Sequence, residues 1–492
     1  MPLPADQLVV ALDCGTSSTK AIAVNYAGRV VARGSAPLAL LTPRPGWVEQ
    51  DPGEVIESAM IALEELLAQV DASSVAAVGI SNQRESLVLW DRTSGEPLSP
   101  LLSWQDRRTR SIIQELDAAG HGEAVYRISG LPLDPMFSAV KATWLLDTYD
   151  PDRARARSGD LAIGTVDSWI AWNLTGRHVT DPGNASRMSL VDLASGQWSE
   201  ELLGIFRVPR ACLAEIGPSA RDDLTIAGGA LAGTTLAALV GDSHAALFSH
   251  RGWVPGTAKA TLGTGSSVMV TAPEATKNPG LCRTIGWQLA GDDPTVALEA
   301  NILAAGATLV WLAEVLGATP AELAGEAAPT TDVVFVPAFD GLGAPYWDDA
   351  AVATISQLSL STERGDLVRA ALDSVAMQIA DVLDALADAA VNVETLIVDG
   401  GMTENTSLMQ SLADAIGIPV QVADAPDASA LGAANLAGLG IGAWSIEDLD
   451  RRTSSYRSIR PTKSREQQQA RREAWKIAVR QARENGYDRS GQ

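Results

Sequence analysis

This chain of 492 residues contains only three cysteines and four histidines. Cys14, Cys212 and Cys282 lie far apart, with no CxxC pair and no Cys/His cluster. That excludes a zinc ribbon and a disulfide framework, and it suits a reducing cytoplasm. His121, His178, His244 and His250 are too scattered for an HExxH-type metal site. No uninterrupted apolar run reaches the length of about 18 residues that a transmembrane helix needs. The opening MPLPADQLVVALD lacks the basic and long apolar regions of a secretory leader, so none is expected. Positive charge is scarce too: 37 Lys and Arg stand against 60 Asp and Glu, a net charge of −23. A field of that sign repels nucleic acid and anionic membrane, so neither is an expected partner.

What is present is ordinary globular composition, with 46% hydrophobic and 20% charged residues. The length suggests two to four domains of about 100–200 residues each. Residues 8–13 and 21–24 read as strands joined through an Asp-Cys-Gly-Thr turn, and 30–41 as a third strand. Asp51-Pro52 opens a helix that runs to Leu67, with the Asp as N-cap and Pro in the first turn. Strands follow at 75–80 and 87–90. Three strands, a helix and another strand predict a layered α/β domain with a mixed sheet. Residues 258–270 (AKATLGTGSSVMV) repeat the opening pattern of strand, Gly/Thr/Ser turn and strand, which predicts two related domains facing a shared cleft. Residues 366–389 form the longest helical pattern, 396–398 a strand, and 404–416 and 429–439 helices. The last of these is rich in Ala and Gly and is suited to close packing. Residues 451–492 carry 12 Lys/Arg and 4 Asp/Glu, a net +8, which leaves −31 on the first 450. Residues 465–484 are therefore read as a terminal helix docked on an acidic body rather than as a nucleic-acid arm.

Several polar segments are candidates for chemistry. In Asp13-Cys-Gly-Thr-Ser-Ser-Thr-Lys20, glycine admits a close ligand and successive amides form an anion cradle. Thr16 and Ser17 add hydroxyl donors, Asp13 is placed to hold Mg²⁺, and Lys20 to reach a phosphate. The alternative is a polar hairpin turn. The second copy, Leu262-Gly-Thr-Gly-Ser-Ser267, strengthens the phosphate reading. Neither turn fits GxxxxGK[ST] or a full GxGxxG, which excludes a Walker or dinucleotide fold. Asp242 ends an apolar run at 236–240 and opens a helix, as either an N-cap or a cleft-facing base. His244 beside it is a second base candidate or a core histidine. Arg84 and Glu85, with Trp104 in the same region, suit a polyhydroxylated substrate. Their alternatives are a surface ion pair and simple packing. Asp399-Gly-Gly401, leading to Asn405, stands between a strand and a helix, where glycines admit a phosphate or a flat ligand.

Taken in order, ALDCGTSSTKAI, PGWVEQDP, GISNQRES, SWQDRRT, TVDSWIAWNLTG, TDPGNASR, GDSHAALF, LGTGSS, AGATLVWL, DGLGAPYWD, RAALDSVAMQIADVL and DGGMTEN resemble the FGGY family of carbohydrate kinases, and within it the glycerol kinases. The matching stretches reach from the first strand to about Leu439. The resemblance implies an α/β fold of two ribonuclease-H-like domains, of the actin/hexokinase/Hsp70 superfamily, flanking a catalytic cleft. It places the polyol or sugar on residues 1–243 and ATP with Mg²⁺ on residues 244–450; the basic helical tail 451–492, beyond the matching stretches, is read from its charge as packed on the body. It implies transfer of the γ-phosphoryl group to a terminal hydroxyl, by a cytoplasmic homodimer or homotetramer.

The resemblance makes Asp242 the general base and Asp13 the acid near Mg²⁺. It puts Thr16, Ser17 and Lys20 in the first phosphate turn and Thr264 and Gly265 in the second. Gly306, Gly401 and Asn405 become nucleotide contacts, and Arg84, Glu85 and Trp104 polyol contacts. Three substrate-side positions depart from the glycerol kinase pattern. Met136 replaces a tyrosine, Ser243 a glutamine and Ser267 a phenylalanine, which predicts room for a tetritol, pentitol or ketopentose as the alternative to glycerol. Val310 replaces a nucleotide-side glutamine. The loop at 218–235 lacks the arginine-bearing segment that binds fructose bisphosphate in some glycerol kinases. Two other classes compete: a catalytically silent sugar or nucleotide sensor, and a chaperone-type ATPase. The intact Asp242 and phosphate turns oppose the first, and Arg84, Glu85 and Trp104 oppose the second.

Overall fold

A computed structural model describes residues 7–273, 276, 278–424, 427–452 and 455–489. The first six residues, read above for a leader, and the last three of the tail lie outside the described residues. The first sheet begins with β1 (Leu8–Cys14), β2 (Ser18–Asn25) and β3 (Val30–Pro37), a meander whose turns fall where glycine and polar residues interrupt the apolar runs. Helix α1 (Pro52–Leu67) follows. Asp51 caps it, with Oδ1 accepting from the amides of Gly53 at 2.7 Å and Glu54 at 3.3 Å; such a cap contributes about 1 kcal/mol. Val55, Ala59, Ala62 and Leu66 of α1 pack onto Leu8, Val10 and Leu12 of β1 in one core. β4 (Val75–Asn82) and β5 (Thr235–Gly241) complete the sheet in the order β5-β4-β1-β2-β3. β4 runs parallel to both β1 and β5, and the β1–β2 and β2–β3 pairs are antiparallel. Helix α2 (Ser138–Tyr149) and helix α3 (Asp242–Ser249) follow their motifs in the same unit.

The second sheet repeats this plan. β6 (Thr257–Leu262) and β7 (Ser266–Thr271) form the second antiparallel hairpin. β8 (Thr295–Ile302) lies beyond β7, and β9 (Thr395–Asp399) and β10 (Val420–Ala423) extend the other side in parallel. Helix α4 (Gly306–Leu316), the long α5 (Arg364–Asp388) and α6 (Thr406–Ile416) accompany these strands. Leu372, Val375, Ile379 and Val382 of α5 bury against Ala258, Ala260 and Leu262 of β6.

The described chain forms two compact units, each built from more than one stretch of the chain. The first comprises residues up to 251 with 283–297 and the stretch from Asp427, and the second comprises 252–282, 298–426 and the tail. Packing explains the return of the chain to the first unit. The helix Ala428–Gly440 presses so closely on α3 that a Cβ at Gly432 would lie 1.9 Å from the carbonyl oxygen of Ala245. Only glycine permits that approach. The tail is divided off by its own anchor. Helix α7 (Arg465–Arg489) buries Trp475, Ala478, Val479 and Ala482 against Val334, Val336 and Met377. Its cations meet carboxylates of the second unit: Arg471 with Asp373 at 3.2 Å, Arg472 with Asp381 at 2.8 Å and Asp384 at 2.7 Å, and Arg483 with Asp348 at 2.6 Å. Among the described residues no helix is long and apolar enough to cross a membrane.

Asp381 is the centre of that anchor. Its Oδ2 accepts from Trp475 Nε1 at 2.6 Å and from Tyr346 Oη at 2.9 Å. Burial raises its carboxyl above the usual range, opposed by Arg472 and the hydrogen bonds. Trp475→Ala is expected to cost about 3–5 kcal/mol through the cavity it leaves. Trp475→Phe, which keeps apolar bulk but removes the donor, is expected to cost about 1 kcal/mol. Urea unfolding midpoints check both, and indistinguishable midpoints for all three proteins would mean the helix adds nothing to the fold.

Candidate active site

Parallel register places the carboxyl ends of three strands flush. Cys14 of β1 and Gly241 of β5 both pair with Asn82 of β4. In open α/β sheets that edge is where ligands bind. Here it gathers Asp13 and its turn, the 82–85 segment and Asp242, which are far apart in the chain.

Asp242 is the first residue of α3, but Gly241 occupies the capping position and no side chain caps the helix. The capping alternative therefore falls away. The Asp242 Oδ1 accepts from the Ser243 amide at 2.6 Å and lies 3.2 Å from Arg84 Nε. The Arg84 side chain is 7% exposed and that of Asp242 37% exposed, so a buried guanidinium orients an accessible carboxylate. His244 is fully buried, with its Nε2 3.4 Å from the Thr284 hydroxyl and 3.5 Å from an Arg84 nitrogen. It is a core histidine.

Arg84 and Glu85, neighbours in sequence, do not form one surface ion pair. Both are buried, and they face different partners. Glu85 Oε1 accepts from Arg187 Nε at 2.5 Å. Its backbone stands in the left-handed region at φ 62°, uncommon for a residue with a side chain. Arg187 in turn lies over the Phe137 ring, 5.0 Å from its centroid. Sequence reasoning quoted TDPGNASR but gave Arg187 no role; a charged residue ending an otherwise small, buried run was the available signal. Met136 is 8% exposed and sits two residues before α2, and Ser243 is half-buried on α3.

The first turn is held rather than loose. Trp104 Nε1 donates to Thr16 Oγ1 at 3.0 Å, and Gln50 Nε2 donates to the Thr16 carbonyl at 2.8 Å. Gln83 links the same turn through Gln50 at 2.7 Å. Gln50 and Gln83, both buried, brace this turn, and the sequence reading did not single them out. Ser17 and Lys20 stay exposed. Asp13 Oδ1 accepts from Ser81 Oγ at 2.7 Å. Burial pushes the Asp13 carboxyl up to about 6; the Ser81 bond opposes this, and the negative charge of Asp242 adds to it.

The second unit builds a separate cradle. The Thr264 carbonyl accepts from the amides of Ala305 and Ala307, both at 3.0 Å, and the Gly263 carbonyl accepts from Gly306 at 3.0 Å. The start of α4 therefore fixes the second turn. A Cβ at Gly306 would lie 2.6 Å from the Gly263 oxygen, and one at Gly400 2.4 Å from the Leu262 oxygen. Three segments thus converge at backbone distance: the turn with Thr264 and Gly265, the N-terminus of α4, and the Gly401 segment. Asn405 has a structural task, since its side chain caps α6 by accepting from the Leu408 amide at 2.9 Å. Ser267 Oγ donates to the buried Glu299 at 3.1 Å. Val310, one helical turn beyond Gly306, is exposed.

The Asp13 environment is open to a direct test. A carboxyl whose folded pKa is raised stabilises the fold at low pH, and that contribution is lost as pH rises from about 4 through 6. In buffer free of divalent cations, Asp13→Asn is therefore expected to raise the melting temperature relative to the native protein at pH 8, but not at pH 4. A gain equal at both pH values would contradict this.

Comparison with known proteins agrees with this fold. Residues 8–249 match the model of the FGGY family of carbohydrate kinases, N-terminal domain, and residues 258–441 match its C-terminal domain. The chain is 40% identical to a glycerol kinase of Bordetella parapertussis over 97% of each chain. It resembles the crystal structure of Plasmodium falciparum glycerol kinase with ADP at a TM-score of 0.90 and 29% identity, covering 97% of this chain and 98% of that one. A xylulose kinase structure from Rhodospirillum rubrum matches at a TM-score of 0.87 and 26% identity, over 98% and 100% of the two chains. With both domain models matched in order on a repeated sheet plan, the chain belongs to the FGGY family of carbohydrate kinases.

Proposed function

We propose that this protein is a cytoplasmic kinase that transfers the γ-phosphoryl group of ATP to a terminal hydroxyl of glycerol. The carrying observation is the accessible Asp242 carboxylate held by buried Arg84 at the flush strand ends. The near-full-length likeness to glycerol kinases supports glycerol as the acceptor. The three cysteines are all buried and free, in keeping with a reducing compartment.

Arg84, Glu85 and Trp104 supply guanidinium, carboxylate and an aromatic face to a polyol. Arg187 fixes Glu85, and Thr16 fixes the Trp104 ring, so the acceptor meets side chains already in place. Such preorganisation removes entropy cost from the reaction. An aspartate with a reference pKa near 3.9 is a weak base for an alcohol. In a loose phosphoryl transfer, however, the proton leaves late. Asp242 orients the hydroxyl and accepts its proton on a carboxylate oxygen as the new P–O bond forms. In the second unit, the turn at Thr264 and Gly265 and the adjoining Gly306 and Gly401 segments provide a glycine-rich backbone cradle, which suits phosphates. Asp13 suits Mg²⁺, since its crowded carboxyl, raised by burial and by Asp242, gains from a cation. When bound, Mg²⁺ supplies neutralisation of phosphate charge.

One observation keeps a second acceptor class in view. Ser267, with its hydroxyl on Glu299, offers a polar surface where an aromatic packing group was expected from the family pattern. A coupled ADP-release assay with glycerol, erythritol, threitol, pentitols, xylulose and ribulose separates the readings. The highest kcat/KM is expected on glycerol; a best acceptor of four or five carbons would move the assignment and point to Met136, Ser243 and Ser267. Asp242→Asn is expected to lower kcat about 10²–10⁴-fold with little change in acceptor KM.

A further inference from the structure

Lys141 lies in the first turn of α2 and is fully buried. Its Nζ donates to the Met136 backbone carbonyl, just outside the helix. The same turn is held from two other sides. The Met136 amide donates to Asp134 Oδ1 at 2.7 Å, and Arg107 donates to that same oxygen at 2.8 Å. Two residues later, at the start of α2, Ser138 Oγ donates to the Glu85 carbonyl at 2.9 Å. The segment carrying Met136 and the left-handed Glu85 are therefore one connected structure, with a buried ammonium beneath it.

We propose that Lys141 is a positioning residue for the polyol: its ammonium locks the Met136 turn and holds Glu85 in its acceptor-facing place. A purely structural reading fits poorly. A buried ammonium is costly, and desolvation here pushes Lys141 down to about 7. Glu85, Asp106 and Asp134 oppose that shift, and Arg107 adds to it. A methionine fills much the same space without the charge. The exchange therefore keeps the packing and removes the tie to the Met136 carbonyl.

This inference rests on the polyol-kinase reading. The test uses the full chain with Lys141→Met, comparing acceptor KM, ATP KM, kcat and melting temperature, with polyol affinity by calorimetry. Acceptor KM and polyol Kd are expected to rise about tenfold or more. ATP KM is expected to stay within about twofold and the melting temperature within a few degrees. Lys141→Arg, which keeps a cation and donors, is expected to recover much of the acceptor KM. An unchanged acceptor KM, or equal losses on both substrates together with a lowered melting temperature, overturns the positioning role. If Lys141→Met does not fold, Lys141→Gln decides by the same split. A native protein that phosphorylates no polyol would instead overturn the kinase reading itself.

Discussion

The parallel pairing of β4 between β1 and β5 is the constraint on which the first unit's chemistry depends. Because the three strands run the same way and end in register, their carboxyl ends form one edge. A slip of one residue would turn every side chain on a strand to the other face. Asp13, the 82–85 segment and Asp242 share an edge for that reason alone. The apolar runs that fill the strands set this register, since Leu12, Ile80 and Leu239 must all meet the core.

Around that edge the protein buries an unusual amount of charge. Arg84, Glu85, Arg187 and Lys141 are all nearly or fully inaccessible. Burying charge is costly unless each group finds a partner. Here the cost is offset by a chain of pairings: Arg187 on Glu85, Arg84 on Asp242, Lys141 on the Met136 carbonyl. The chain also explains why a glutamate tolerates a left-handed backbone at φ 62°: its neighbours leave it no other arrangement. Rigidity of this kind is what a site needs to hold a small flexible polyol.

Much of this was legible in the sequence because the responsible signals are local. Asp51-Pro52 announces α1, and the structure shows the cap and the first-turn proline in place. The two strand–turn–strand hairpins were visible as apolar runs broken by Gly, Thr and Ser, and both open their sheets. The Ala- and Gly-rich run ending near Leu439 announced close packing, and Gly432 against Ala245 realises it. Other features were not legible because the decisive partner is remote. Arg84 and Glu85 were read as polyol contacts with a surface ion pair as the alternative, and adjacency says nothing of their partners. Instead the strand end sends their side chains to different residues. Asn405 matched a nucleotide contact by motif, and the structure adds that its side-chain oxygen caps α6. The packing of the helix Ala428–Gly440 with the first unit likewise has no local signal.

By itself, the sequence determined the local grammar: which stretches become strands and helices, where the turns fall, and which motifs place the chain among the FGGY kinases. Apolar periodicity, caps and glycine turns act over a few residues, so they can be read without a fold. Only the tertiary structure decided who pairs with whom. It gave Arg84 to Asp242, Arg187 to Glu85, Trp104 to Thr16 and Lys141 to the Met136 turn. Buried polar groups take their partners from whatever the packing brings within about 3 Å, and strand register and helix crossings, rather than position along the chain, set that neighbourhood.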